Sequence, residues 1–150
     1  MTELTMEQRL RNRIAELHTV APGSIGDVLR FELESCDEEK KEYVLRCITQ
    51  SWMRNAAGTL HGGMCATLVD QAMGFVSYCL MPGPGVIPTI ELQVSYHRPL
   101  IPGEDVLIRI REVAVTRSLV SLAAEAVLES APEKLCISSS ATYFYKPAKE

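Results

Sequence analysis

The stretch from Gly62 to Leu80 constrains the fold most, because it contains no proline and only one charged side chain, Asp70. It opens with two glycines, Gly62 and Gly63, and the turn Pro82-Gly-Pro-Gly85 follows it. This pattern predicts one helix of about 18 residues, or ~27 Å at 1.5 Å per residue. A helix this apolar, with small residues recurring along its length, is buried rather than exposed on all sides. The sequence therefore predicts a long central helix wrapped by other elements.

Alternating apolar and polar residues predict strands on both sides of the helix. Leu29, Phe31 and Leu33 alternate with charged residues, and a charged turn at 37–41 leads into a second apolar strand at 43–49, which gives a hairpin. Short turns between consecutive strands imply antiparallel pairing. We expect an α+β fold in which an antiparallel sheet is wrapped around the long helix. Four further strands are predicted after the helix, at Ile87–His97, Asp105–Val115, Ser118–Leu128 and Leu135–Tyr145.

A short amphipathic helix is predicted near the start of the chain. Thr5 and Gln8 have the capping-box spacing, and Leu10, Ile14 and Leu17 follow at helical intervals. The turn at Pro22-Gly23 ends this helix. We therefore divide the chain into an N-terminal helix and connector over residues 1–25 and a main domain over residues 26–150.

Composition excludes several classes of function. The net charge is −4, the sequence pI is about 5.4 and no basic run stands out, which argues against a nucleic-acid-binding surface. No apolar stretch approaches the ~20 residues that span a bilayer, and the charged N-terminus does not look like a signal peptide. The five cysteines form no CxxC pair and the three histidines lie far apart, so we expect reduced thiols, no metal site and a cytoplasmic location.

Asp70 is the first candidate for chemistry. A carboxylate on an apolar helix is costly to bury unless it is paired or used. One interpretation is structural, in which Asp70 caps a buried backbone group or pairs with a distant arginine. The other is a nucleophile or general base. The residue type and position alone leave both open.

The glycines at the helix start are the second candidate. Their backbone N–H groups lie at the positive end of the helix dipole, where they would stabilise a carbonyl oxygen that gains negative charge, although such glycines also serve packing or turns. Asp70 lies eight residues beyond Gly62, about 12 Å along the same helix, so one chain does not easily bring both groups to one carbonyl. An antiparallel helix from a two-fold partner would place its Gly62 near this Asp70, which predicts a dimer with shared sites provided that both groups serve the same reaction.

Weaker candidates surround these two. His61 either caps the loop or orients Asn55, and Asn55 either donates to a carbonyl or stabilises its own loop. Thr89 begins a strand and would position a water, although strands favour threonine anyway. Cys65 lies four residues after His61 on the same helix face, so a thiolate pair is an alternative to a core cysteine.

The chain resembles the hot-dog-fold acyl-CoA thioesterases of the phenylacetate-degradation (PaaI) type in the spacing Asn55-x-x-Gly58-x-x-His61-Gly62-Gly63, with Asp70 nine residues after the histidine. The order of helices and strands extends the resemblance over roughly residues 26–145. It implies a hot-dog fold and a homodimer or homotetramer with active sites at the dimer interface. It also implies an acyl- or aryl-CoA substrate, hydrolysed to free acid and CoA, with no further cofactor.

The same resemblance implies a role for each candidate. Asp70 matches the acid that attacks the thioester or activates water, and the Gly62 N–H matches the group that polarises the carbonyl. Asn55 and His61 match supporting positions, and Thr89 matches a hydroxyl residue that holds the water. Two alternatives stay open: a non-catalytic acyl-CoA-binding protein of this fold, and a hydroxyacyl-thioester dehydratase, whose histidine-phenylalanine-proline signature the sequence lacks.

Overall fold

The computed structural model describes residues 3–149, and the outermost residues of the predicted segments 1–25 and 26–150 (1, 2 and 150) lie outside it. Helix α1 spans Met6–Val20 and begins with the predicted capping box, in which Thr5 and Gln8 each accept a hydrogen bond from the other's backbone N–H. Its apolar side packs against the central helix and the first strand. The buried side chains on this face are Met6, Leu10, Ile14 and Leu17.

Within residues 3–149, six strands form one antiparallel sheet in the order β1-β2-β5-β6-β7-β4. The predicted α+β architecture is therefore confirmed. Strand β4 lies at one edge, and its sheet neighbour is β7 rather than the next strand along the chain. The strands span Arg30–Asp37 (β1), Glu42–Ile48 (β2), Thr89–Tyr96 (β4), Asp105–Val115 (β5), Leu119–Leu128 (β6) and Ile137–Phe144 (β7).

The central helix, α3, spans Gly62–Leu80, as the sequence predicted. It contacts β2, β4, β5, β6 and β7, so the sheet curves around it. Leu68, Val69, Ala72 and Val76 are at most 1% exposed, which places this helix at the centre of the core. The helix is therefore held by burial of its apolar residues along most of its length.

Three local features differ from the predictions. Residues Ile25–Val28 form a helical turn, α2, which the sequence analysis did not predict. Strand β4 begins at Thr89 rather than Ile87, because Pro88 has no N–H to donate to the ladder. A small second sheet, which the sequence did not predict, joins Gly85–Val86 (β3) to Lys146–Pro147 (β8). Across residues 3–149, no helix combines the length and hydropathy needed to cross a bilayer.

Candidate active site

Asp70 is held on one side of its carboxylate by two hydroxyl groups. Thr89 Oγ1 donates to Asp70 Oδ1 at 2.8 Å, and Tyr143 Oη lies 2.9 Å from both Asp70 Oδ1 and the Asp70 carbonyl oxygen. Thr89 and Tyr143 are register partners on β4 and β7, so the sheet presents both hydroxyls to the same turn of α3. Asp70 Oδ2 accepts no hydrogen bond from any described residue. One carboxylate oxygen is thus fixed and the other is open.

Tyr143 is the site residue that the sequence analysis missed. Its side chain is 1% exposed, and burial together with the adjacent Asp70 carboxylate raises the pKa of Tyr143 far above its usual range. It therefore stays a neutral donor to Asp70. A signal existed in the sequence: Ile137, Ala141 and Tyr143 occupy alternating inward positions of β7, and a buried tyrosine hydroxyl requires a polar partner.

The start of α3 leaves the Gly62 N–H open. His61 is the N-cap, and its Nδ1 accepts the Gly63 N–H at 2.9 Å, while its carbonyl accepts the Cys65 N–H. In the described part of the chain, no acceptor is bonded to the Gly62 N–H, whereas the Gly62 carbonyl accepts from Tyr96 Oη at 2.7 Å. A helix N-terminus with one free donor favours a developing negative charge.

His61 and Asn55 have separate structural tasks. Asn55 Oδ1 accepts the N–H groups of Ala57 and Thr59, and its Nδ2 donates to Thr59 Oγ1 at 2.9 Å, which closes the loop before the helix. His61 caps α3. Among the described residues, the side chains of His61 and Asn55 form no hydrogen bond with each other. One proton of the Asn55 amide is left for another acceptor.

The thiolate interpretation of Cys65 is wrong. Its Sγ is buried, and burial raises the pKa of Cys65 to about 11, so the thiol is neutral near pH 7. His61 Nδ1 is already bonded to the Gly63 N–H. Cys65 is a core residue.

The chain brings Asp70 and Thr89 together, but it does not bring Gly62 to them. Gly62 and Asp70 are eight residues apart on an uninterrupted helix, about 12 Å along its axis. The opening of α3 lies instead beside Tyr96, at the other end of β4 from Thr89. The donor and the acid therefore lie beside opposite ends of β4.

A cavity of about 340 Å³ lies beside Asp70, which we call the Asp70 cavity. Five of its lining residues belong to one face of α3. The others come from α1, from α2 and its N-cap Ser24, from Ile87 just before β4, and from the strands that hold the carboxylate. Its volume is at the lower end of the range for small-molecule sites. The lining residues are Arg13, Leu17, Ser24, Ile25, Gly26, Asp70, Gln71, Gly74, Phe75, Tyr78, Ile87, Thr89 and Tyr143.

Comparison with known proteins identifies a family over the part of the chain that contains Gly62, Asp70 and Thr89. The family described as the thioesterase superfamily matches residues 57–134. A mouse protein named acyl-coenzyme A thioesterase 13 is 31% identical over 105 residues, which are 69% of this chain and 71% of the mouse protein. The human protein of the same name is 44% identical over 55 residues, which are 36% of this chain and 38% of the human protein.

A solved structure gives the corresponding result for the fold. The protein smu.793 from Streptococcus mutans UA159, solved bound to acetyl-CoA, superposes with a TM-score of 0.67 at 21% identity. The superposition covers 81% of this chain and 92% of the other. Together with the family match, it confirms the hot-dog fold that the sequence predicted.

Proposed function

The chain belongs to the thioesterase superfamily, and on that premise we propose that it hydrolyses an acyl-CoA thioester to a free acid and CoA. The observation that carries the proposal is the Asp70 carboxylate, with Oδ1 fixed by Thr89 and Tyr143 and Oδ2 open beside a cavity. No described donor occupies Oδ2, so this oxygen is available to take a proton or to attack a carbonyl. The acetyl-CoA bound to the Streptococcus mutans protein supports the substrate class.

Hydrolysis needs one attacking oxygen and one group that stabilises the carbonyl oxygen. As general base, Asp70 Oδ2 takes a proton from a water, whose oxygen attacks the thioester carbonyl. The C–S bond then breaks, and the CoA sulfur takes up the proton. As nucleophile, Oδ2 attacks the carbonyl carbon directly, the C–S bond breaks and CoA leaves as its thiolate. A water then hydrolyses the resulting mixed anhydride, which restores the Asp70 carboxylate, releases the acid and supplies the proton that the CoA sulfur takes up. Both routes use the same open oxygen, while Thr89 and Tyr143 keep the carboxylate oriented.

We propose that the stabilising donor comes from a second copy of the chain. If two α3 helices cross antiparallel at Ala66, midway between Gly62 and Asp70, each Gly62 faces the other protomer's Asp70. The edge strand supports the same symmetry. If β4 pairs antiparallel with its copy about the point between Leu92 and Gln93, Thr89 lies opposite the other protomer's Tyr96. Thr89 contacts Asp70 and Tyr96 contacts Gly62, so this pairing also brings the acid of one protomer toward the donor of the other.

The exposed apolar surface of β4 fits this arrangement. Tyr96 is 55% and Ile90 59% exposed, although both lie on a strand of the main sheet. An edge strand also presents unpaired backbone groups, which a second β4 would satisfy. The smallest complete unit is then a homodimer with two equivalent sites, each containing Asp70 from one protomer and the Gly62 N–H from its partner.

Substitutions at the two groups test the proposal by measuring thiol release from a panel of acyl- and aryl-CoAs. Asp70→Asn keeps the size of the side chain but removes the base, and kcat is expected to fall at least ~100-fold. Gly62→Pro deletes the N–H, and loss of one such donor costs about 10²- to 10³-fold in kcat. Undiminished turnover by a folded Asp70→Asn protein would refute the proposal.

Gly62→Ala is the matched control for the proline variant, because alanine keeps the N–H. Proline is tolerated at the first position of a helix, and the preceding residue, His61, has φ −60° and ψ 135°, which is compatible with a following proline. A Cβ at Gly62 would lie 3.7 Å from Tyr96 Oη, an ordinary contact. A proline variant as active as the alanine variant would exclude the Gly62 N–H from the reaction.

A further inference from the structure

Gly74 occupies the middle of α3 without a packing reason inside the chain. A Cβ at this position would lie 4.0 Å from Tyr143 Cε1, an ordinary van der Waals distance, and its φ is not in the left-handed region. Alanine would fit there and would stabilise the helix, because glycine is among the weakest helix formers. Gly26 differs, since a Cβ there would lie 2.5 Å from Leu17 Cδ1. What distinguishes Gly74 is the space that it leaves in the Asp70 cavity.

The Asp70 cavity runs along α3 rather than across it. Asp70, Gly74 and Tyr78 line it at intervals of four residues, which places them on one helix face, one above the other. The distance from Asp70 to Tyr78 is eight residues, or about 12 Å. Gly74 therefore lies at the midpoint, where a side chain would interrupt the cavity.

The end of the cavity away from Asp70 is covered by Arg13 of α1. Its guanidinium carbon lies 3.9 Å from the centre of the Tyr78 ring, and its Nη1 donates to Glu16 at 3.1 Å. A cation over an aromatic ring is a favourable contact, and the ion pair holds the guanidinium in place. Between the two ends, the lining includes the apolar side chains of Leu17, Phe75 and Ile87.

We propose that this cavity binds the acyl group, that Gly74 keeps it open next to Asp70, and that Arg13 stacked on Tyr78 sets its length. This inference rests on the proposed hydrolysis. An extended alkyl chain, with carbon–carbon bonds of about 1.5 Å, advances roughly 1.25 Å per carbon, so about 12 Å holds about nine or ten carbons. The preferred substrates are straight-chain acyl groups up to about that length.

The experiment compares kcat/KM for acetyl-, octanoyl- and palmitoyl-CoA in the unmodified protein and three variants. Gly74→Leu fills the midpoint, and the octanoyl-to-acetyl ratio is expected to fall at least about tenfold, the discrimination typical of a methylene or two in a pocket. Gly74→Ala is the matched control: it adds one carbon, and we expect a raised Tm with a smaller change in the ratio. Arg13→Ala opens the far end and is expected to raise the palmitoyl-to-octanoyl ratio at least about tenfold.

The outcomes separate this inference from the proposed function. Turnover of acyl-CoAs with both ratios unchanged in Gly74→Leu and Arg13→Ala overturns the assignment of the cavity and leaves hydrolysis standing. Absence of turnover on every acyl-CoA by the unmodified protein overturns both. If Gly74→Leu does not fold, the palmitoyl-to-octanoyl ratio of Arg13→Ala decides, because its substitution lies on α1 at the surface of the cavity.

Discussion

Two inactive variants should restore activity to each other if each site takes Asp70 from one protomer and Gly62 from its partner. In a mixed dimer of Asp70→Asn and Gly62→Pro chains, one site contains both substitutions and the other contains neither. The geometric basis is the position of the two groups, eight residues apart on one helix and symmetric about Ala66. Neither variant forms an unaltered site with another copy of itself.

The expected recovery follows from counting sites. A mixed dimer has one intact site of two, so it should show about half of the unmodified activity per dimer. Random pairing of equal amounts makes about half of all dimers mixed, and the unfractionated mixture should therefore reach about a quarter. The separate variants should retain about one hundredth or less. The predicted increase over the separate variants is thus at least about 25-fold.

The assay co-refolds the two chains with different affinity tags, purifies the dimers that carry both tags, and measures thiol release. Each variant co-refolded with itself, under both tags, provides the matched control for the procedure. If the doubly tagged dimers are no more active than these controls, the two groups serve one site within a single chain and the shared-site geometry is wrong. A mixed dimer of Gly62→Ala and Asp70→Asn chains is a second control. Because alanine keeps the N–H, this dimer distinguishes the effect of losing the N–H from the effect of adding a side chain at position 62.

Two further outcomes are expected. Tyr143→Phe should lower kcat about tenfold with little change in KM, because it removes one hydrogen bond to the Asp70 carboxylate while the bond from Thr89 remains. Tyr145→Phe is the control, because the Tyr145 hydroxyl donates to the Gly83 carbonyl instead. An equal loss of kcat in both variants would refute the reasoning. The free energy of unfolding should fall as pH rises above about 9 toward 12. Burial raises the pKa values of Cys47 and Cys79 from 9.0 to about 12, so both thiols hold their protons more tightly in the folded state than in the unfolded state. Urea titrations that give the same free energy of unfolding at pH 8 and pH 10.5 would contradict this.

The central helix was predictable because every local signal agreed. Gly62 and the turn after Leu80 fix its ends, and a single charge over its length leaves no alternative to burial. The strand that begins at Thr89 was predicted two residues too early, because apolar Ile87 matched the pattern while the missing N–H of Pro88 ended the ladder. Hydrophobic periodicity predicts which helices and strands form, but it predicts where they end only if a residue that interrupts them, such as Pro88, is recognised.

The support of Asp70 was not predictable from the same signals, because it depends on sheet order. Strands β4 and β5 are consecutive in the chain, yet β4 pairs with β7 at the far edge of the sheet. Only that pairing sets Thr89 opposite Tyr143 and aims both hydroxyls at one carboxylate. A motif spaced along the sequence located the acid, whereas the residue that holds it lies 73 positions away.

A glycine that neither packing nor backbone conformation requires marks a position where the chain leaves space for a ligand. Gly85 is required by packing, since a Cβ there would lie 2.5 Å from the Lys146 carbonyl oxygen. Gly62 and Gly74 meet no such obstacle. Gly62 carries the open N–H, and Gly74 lines the Asp70 cavity. An interior helical glycine costs about 1 kcal/mol relative to alanine, so at Gly74 the helix is less stable than its packing allows. That stability is exchanged for space beside Asp70, which is the behaviour expected of a helix that forms the wall of a binding site as well as the centre of a core.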